Sequence, residues 1–165
     1  GSGGFLIKAA DYVRETQGEL KDLRLYGQET IWNTWAIATM NLLLHGLEGE
    51  IRQGDTIQNP KFKKNDSEID TFDVVLANFP FSVENWAGNG SPKKDKKGKA
   101  VLNNDGSPKY DYPAKDSYVD PYNRLIYGTP NFTNGDFAFL QHIIASLVPD
   151  GMAGVVCPNG VLFKG

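Results

Sequence analysis

The chain has 165 residues, 40% of them hydrophobic and 22% charged, which is long enough and apolar enough for one domain with a real core. Its formal net charge of −3 argues against a dedicated nucleic-acid-binding domain, whose footprint is usually basic. Cys157 is the only cysteine, which excludes an internal disulfide and fits a reducing cytoplasm; no apolar run approaches the roughly 18 residues of a membrane span, and no secretory signal pattern is present.

Gly1-Ser2-Gly3-Gly4 opens the chain, and the residues after it predict a helix. Phe5, Leu6, Ala9, Tyr12 and Val13 recur at i, i+1, i+4, i+7 and i+8, the spacing of one apolar face. Leu23-Arg24-Leu25-Tyr26 reads as a short strand. A second helix is predicted from Ile31 to His45, with Trp32, Trp35, Ala36 and Leu43 suited to its inner face. His45-Gly46 ends it, because glycine accepts the left-handed cap and a late imidazole suits the helix dipole. Glu50 to Asp55 predicts another strand. Phe72-Asp73-Val74-Val75-Leu76-Ala77 predicts one buried on both faces of a parallel sheet. From about Gly88 to Thr133, Gly, Pro, Asn, Lys and Tyr dominate and neither periodicity persists, so the stretch reads as a long loop. Phe137, Leu140, Ile144 and Leu147 mark a last helix face, Pro149-Asp150-Gly151 a turn, and Met152 to Cys157 a strand. Alternating helix and strand predicts a doubly wound α/β sheet.

In such sheets ligands gather beyond the carboxyl ends of the strands. Asn78-Phe79-Pro80-Phe81 follows the apolar run directly and falls at that end. Asn offers a neutral acceptor oxygen, Pro stiffens the turn and Phe81 presents a flat apolar face, a set that can hold a planar molecule such as a nucleobase by one edge and one face. A strand-end turn with aromatic core residues would leave the same string. Gly1 to Gly4 suits backbone N–H groups approaching a ligand at a helix N-terminus, and equally suits a linker. Glu29 follows a strand, where it can accept both hydroxyls of a ribose or simply cap the next helix. Asp55 in Gly54-Asp55-Thr56 reads by itself as an ordinary turn. His45 and His142 are isolated from partners at ligand spacing and read as structural, with no metal site.

Taken together these segments carry a resemblance. The tetrapeptide resembles the Asn-Pro-Pro-aromatic motif of amino-group methyltransferases that use S-adenosyl-L-methionine. Gly1-Ser2-Gly3-Gly4-Phe5-Leu6-Ile7, Leu25-Tyr26-Gly27-Gln28-Glu29 and Gly54-Asp55-Thr56 stand in the order of that family's cofactor loop, ribose-binding acid and adenine-contacting acid. The tail, Asp136-Phe137-Ala138-Phe139-Leu140 through Pro158-Asn159-Gly160-Val161-Leu162-Phe163, is similar to the modification (M) subunit of type I restriction–modification systems, adenine-N6 DNA methyltransferases. Residues 87–133 match only loosely. The resemblance implies a class I, Rossmann-like methyltransferase fold cut at both ends, with residues 1–165 an internal piece of the catalytic domain and a long insertion at about 88–133. The family's first strand would be absent, which leads to the expectation that the isolated chain is unstable and inactive.

The same resemblance implies roles. Gly1, Ser2, Gly3, Gly4, Phe5, Glu29, Thr30, Asp55 and Asn78 would bind S-adenosyl-L-methionine, with Thr30 and Ile31 flanking its adenine. Asn78, Phe79, Pro80 and Phe81 would act on a flipped adenine. The Asn78 oxygen and the Phe79 carbonyl would accept the amine's hydrogens, and Phe81 would stack on the base. Phe79 departs from the family's first Pro and does not fix φ, so the carbonyl is kept while the stiffness of the turn must come from elsewhere. Implied partners are double-stranded DNA, a sequence-reading specificity (S) subunit and a restriction (R) subunit, which reconciles an acidic chain with a DNA substrate. Methylation of a protein glutamine amide, and a non-catalytic DNA-binding or scaffold piece, are the alternatives. Lys93, Lys94, Lys96, Lys97 and Lys99 form a basic cluster in the long loop that suits either solvent or phosphates.

Overall fold

The computed structural model describes residues 1–16 and 19–163. Helix α1 (Gly4–Thr16) leads to strand β1 (Leu25–Glu29), helix α2 (Trp32–Leu44) and strand β2 (Gly49–Gln53). A small hairpin follows, β3 (Lys63–Asn65) with β4 (Glu68–Ile69), and then β5 (Phe72–Asn78). Strands β6 (Ser91–Pro92) and β7 (Tyr110–Asp111) precede helix α3 (Asp136–Ala145) and strand β8 (Leu147–Val156). Among the described residues no helix is long and apolar enough to cross a membrane.

Two parallel pairs organise the molecule. β1 lies beside β2 with Leu25 opposite Gly49 and Glu29 opposite Gln53, and α2 makes the crossover. β5 lies beside β8, with Val74 opposite Met152 and Asn78 opposite Val156. Among the described residues each of these strands therefore has one hydrogen-bonded neighbour, which alters the expectation for β5. It is not buried on both faces: Val74 and Leu76 are 55% and 42% exposed, and Met152 beside them 69%. An apolar run reports the chemistry of a strand, whereas burial needs layers on both sides of it. Pro149-Asp150-Gly151 is likewise not a turn ahead of the strand. Phe72 pairs with Leu147 and Val74 with Met152, so Val148–Gly151 bulge out of β8, with Asp150 at a φ of +66°.

The helix faces are rotated from their predicted positions. In α1 the buried residues are Ile7 and Ala10, while Phe5 and Tyr12 are exposed. Ile7 and Ala10 join Leu25, Leu42 and Leu47 in one core, so the face is set by what α2 and β1 present to the helix. In α2 the buried residues are Ala38 and Leu42; of the four predicted inner residues Trp32, Ala36 and Leu43 face outward and Trp35 alone is partly buried. This helix is apolar nearly all round, so spacing alone cannot choose a face. The Trp35 indole N–H donates to the Ile51 carbonyl at 2.7 Å and fixes the choice.

The predicted end of α2 is where the sequence puts it. Gly46 N–H donates to Leu43 O at 3.0 Å and Leu47 N–H to Leu42 O at 2.9 Å, with Gly46 at a φ of +62°. Those two bonds form a Schellman motif, and its hydrophobic contact is Leu47 on Leu42.

Residues 88–133 are not structureless. β6 pairs antiparallel with β7, and isolated bridges join Lys94 to Ala100 and Leu102 to Pro108. Lys93 N–H donates to Lys109 O, Lys109 N–H to Val101 O, and Val101 N–H to Lys93 O, each at 2.8–2.9 Å, closing a ring of three backbone bonds. Paired segments of two residues are too short for periodicity to register. A second core, Ile57, Trp86, Phe132 and Ala138, lies beneath this region with Tyr112, Tyr118 and Phe139 against it.

Candidate active site

Glu29, Thr30, Asp55 and Asn78–Phe81 sit at the carboxyl ends of parallel strands or just after them, while Gly1–Phe5 lie at the start of α1. Gly3 takes a φ of +83°, which a side chain would disfavour, and turns the chain into α1. Ile7 N–H donates to Gly3 O at 3.1 Å, so the amides ahead of it in the first turn have no intrahelical acceptor. Asn41 on α2 donates from Nδ2 to Ser2 O at 2.9 Å and pins the loop. A Cβ placed on Gly1 or Gly4 would meet nothing within 4 Å, so the loop borders open space. Phe5, next along, is exposed.

Glu29 ends β1 beside that loop. Its carboxylate accepts from the Gly1 amino group and, through Oε1, from Ile31 N–H at 2.8 Å. Burial alone would raise its pKa. Backbone hydrogen bonds from Ile31 and Thr30 act against burial and lower it. Ile31 is the N-cap residue of α2, so this bond agrees with the helix-start reading of Glu29. Thr30 is exposed and its carbonyl accepts from Gln53 Nε2 at 2.7 Å. Gly54 N–H donates to Glu29 O at 3.0 Å, which brings the ends of β1 and β2 together. Asp55, next in the chain, spends Oδ1 on the amides of Ile57 and Gln58, both at 2.8 Å. That is the turn its sequence suggests.

The tetrapeptide divides into an inner and an outer half. Asn78 and Pro80 are exposed, and Phe81 is 44% exposed. Phe79 is buried: its ring stacks on Phe139 of α3 at 5.1 Å with planes 4° apart, and stands edge-on to Phe81 at 5.7 Å. The stiffness that a first Pro would give through φ comes here from packing. Ser82, immediately after, has a φ of +56° and donates its N–H to Asp136 Oδ1 at 2.6 Å. Asp136 is 2% exposed at the start of α3, and Asn134 Oδ1 accepts its own N–H at 2.9 Å. α3 thus fixes the turn from both sides, by an aromatic stack and by a buried carboxylate.

The loops after β2 and β5 meet through Ile57, which packs with Trp86. Behind them stands a cluster that sequence reasoning missed. Arg124, 3% exposed, pairs with Asp120 at 2.6 Å through Nη2 and donates to Ile57 O at 2.8 Å and Thr56 O at 3.3 Å. Its Nη1 lies 3.0 Å from His142 Nδ1. Burial, then the Arg124 charge, pushes His142 down to about 3 against the opposing pull of Asp120, so the ring is neutral and can accept from the guanidinium. His142 is structural, as read, yet it has a partner. The only signal in sequence was an acid and an arginine four apart in a stretch without helical periodicity. Asp136 could have been found as an acid opening a helix. His45, at the end of α2, is exposed.

An exposed side-chain amide, an adjacent backbone carbonyl and an exposed aromatic ring thus occupy one rigid turn. The Glu29 carboxylate lies at the end of a second parallel pair, beside the helix-start amides of α1. The first set can take the edge and face of a planar amine; the second can take hydroxyls and a negative group.

The chain is 30% identical over its whole length to the methylase subunit of the type I restriction enzyme MjaIX of Methanocaldococcus jannaschii, and covers 25% of that protein. It is 28% identical over 97% of its length to the methylase subunit of the type I restriction enzyme HindI of Haemophilus influenzae, covering 29% of it. In structure it resembles the crystal structure of a type I restriction–modification system methyltransferase subunit from Streptococcus thermophilus, with a TM-score of 0.66, 26% identity, all of this chain and 29% of that one covered. The chain spans 25–29% of the length of these proteins, and its fold is that of a methyltransferase core. The model of the N-6 DNA methylase family matches residues 1–165, and the chain belongs to that family.

Proposed function

We propose that the full-length protein transfers a methyl group from S-adenosyl-L-methionine to N6 of an adenine flipped out of double-stranded DNA. We further propose that it does so as the modification subunit of a type I complex with a specificity subunit and a restriction subunit. The observation that carries this is the division of the tetrapeptide: Phe79 is locked into Phe139 while Asn78 and Phe81 stay accessible on the same turn.

The residues present suit the methyl donor. Its ribose hydroxyls need an acceptor, and Glu29 offers a carboxylate at a strand end. Its carboxylate end needs donors, and the first amides of α1 point from a loop that borders open space. Asp55 keeps a second carboxylate oxygen beyond the one its turn uses. Bound there, S-adenosyl-L-methionine would supply an electrophilic methyl on sulfur.

The exocyclic amine of adenine is a poor nucleophile because its lone pair is delocalised into the ring. Asn78 Oδ1 and the Phe79 carbonyl, aimed at its two hydrogens, localise that pair on nitrogen and orient it. Phe81 stacks on the base for roughly 1–3 kcal/mol, comparable with the few kcal/mol that unstacking costs. Phe139 and Asp136 keep the acceptors in place, so most of the acceleration comes from orientation. In the full-length protein, Asn78→Ala should cut adenine methylation by about 100-fold or more, the scale of losing one aligned polar contact in the transition state. Affinity for S-adenosyl-L-methionine should stay within a few-fold. Near-normal turnover would remove Asn78 from the mechanism.

A further inference from the structure

The basic cluster is borne by a folded arm, and that arm is fastened to the segment that follows Phe81. Gly90 N–H donates to Asn85 Oδ1 at 2.8 Å, immediately before β6. The Tyr112 hydroxyl, immediately after β7, donates to Glu84 at 3.1 Å, and its ring stacks on Phe132 in the second core at 5.5 Å. Both ends of the arm are thus held by residues three to four positions beyond Phe81 in the chain.

Along the arm the acids are already engaged and the lysines are not. Asp95 spends Oδ1 on the amides of Lys97 and Lys99, at 2.8 and 2.9 Å, closing the turn at the tip. Asp111 pairs with Lys93 at 3.2 Å. Lys94, Lys96, Lys97 and Lys99 are exposed, and among the described residues none of the four has an acid within ion-pairing distance. A carboxylate that organises a turn through backbone bonds, under four unpaired ammonium groups, concentrates positive charge at the tip of an arm in a chain whose net charge is −3. A tight backbone ring at Lys93, Val101 and Lys109 makes that display rigid. Ammonium groups on a preordered scaffold bind phosphates with little further ordering cost, and each contact releases condensed counterions.

We infer that the arm at residues 91–111 is a DNA-backbone contact: Lys94, Lys96, Lys97 and Lys99 engage phosphates of the duplex whose adenine is presented to the turn at Asn78–Phe81. This rests on the proposed DNA substrate and names the surface that meets it. The contact reads no sequence. It sets the register of the duplex against the turn through the fixed link from Asn85 and Tyr112 to the arm.

The test is the salt dependence of duplex binding by the full-length protein, in the complex in which it methylates DNA. A variant with all four lysines changed to glutamine is compared with one carrying four arginines. The magnitude of the slope of log affinity against log salt should fall by about 2 to 3.6 in the glutamine variant, at ~0.9 per phosphate contact, and remain near wild type with arginine. Unchanged thermal unfolding of both variants would show the arm intact, as expected for exposed side chains. An unchanged slope in the glutamine variant overturns the inference. So does an unchanged slope accompanied by loss of complex assembly, which would make the tip a contact for an acidic protein surface. Wild-type protein that binds duplex but methylates no adenine would instead defeat the proposed function, while the slope would still decide the role of the arm.

Discussion

Arg124 offers the sharpest test of how the loops around the site are held. The guanidinium is 3% exposed and spends its donors on Asp120, Thr56 O, Ile57 O and His142. Arg124→Met removes all of them and leaves the Asp120 carboxylate buried with only backbone donors. Burial would raise the Asp120 pKa, and the bonds and charge of Arg124 are what hold it down. Breaking one side of such a pair costs about 3–5 kcal/mol. Asp120→Asn combined with Arg124→Met removes the stranded charge and leaves two loop carbonyls and His142 Nδ1 without the guanidinium. Those cost ~1–3 kcal/mol each when fully buried, and less where the loop can turn them to water. The double variant should therefore be more stable than the single one by about 2 kcal/mol, a coupling of the size expected for contacting groups. Hydrogen–deuterium exchange in the full-length protein reads this locally, in peptides covering residues 56–58 and 120–124. Protection there should fall by about 100- to several thousand-fold in the single variant, at 1.36 kcal/mol for each factor of ten, and partly return in the double. A single variant within ~1 kcal/mol of wild type, or a double no better than the single, would refute the account of the pair as the tie between the two loops.

Three further outcomes follow from the site. Glu29→Ala should weaken S-adenosyl-L-methionine binding by about 10- to 150-fold, from ~1.5–3 kcal/mol for a hydrogen bond to a charged group, and calorimetry showing unchanged affinity would leave Glu29 as a helix cap alone. Asp136→Ala should cost about 1.5–3 kcal/mol through the lost Ser82 bond and lower methylation while cofactor affinity holds; equal loss of both would mean the damage is global. His142 is depressed in the folded protein to about 3 from an ordinary value of 6.5. The unfolded chain therefore binds the extra proton between those values, and stability contributed by the neutral ring is present above pH 6.5 and is lost as pH falls toward 3. The slope is up to about 1.4 kcal/mol per pH unit. His142→Gln should flatten unfolding free energy against pH in that window, and an identical pH profile would show that the ring is not held neutral.

Much of the molecule was legible along the chain because its signals are local. The order of elements, the Schellman end of α2 at Gly46, the strand that delivers Asn78, and the turn chemistry of Asp55 each depend on a few neighbouring residues. The resemblance carried by Asn78–Phe81, by the segment ending at Glu29 and by the tail from Asp136 pointed to the family for the same reason. Sequence alone could not choose the buried faces of α1 and α2. Both carry apolar residues on more than one side, and the choice is made by Leu25, Leu42 and Leu47 meeting Ile7 and Ala10. It could not see the paired arm at 91–111, whose strands are shorter than one period.

Tertiary structure alone decided how the site is stiffened. Phe79 stacks on a ring sixty residues away in the chain, Ser82 is held by Asp136, and Arg124 bonds carbonyls that precede it by more than sixty positions. None of these pairs leaves a spacing to read, because the fold sets the distance between their side chains. The sequence determined which chemical groups stand at the strand ends; packing of α3 and the second core determined that those groups are held still.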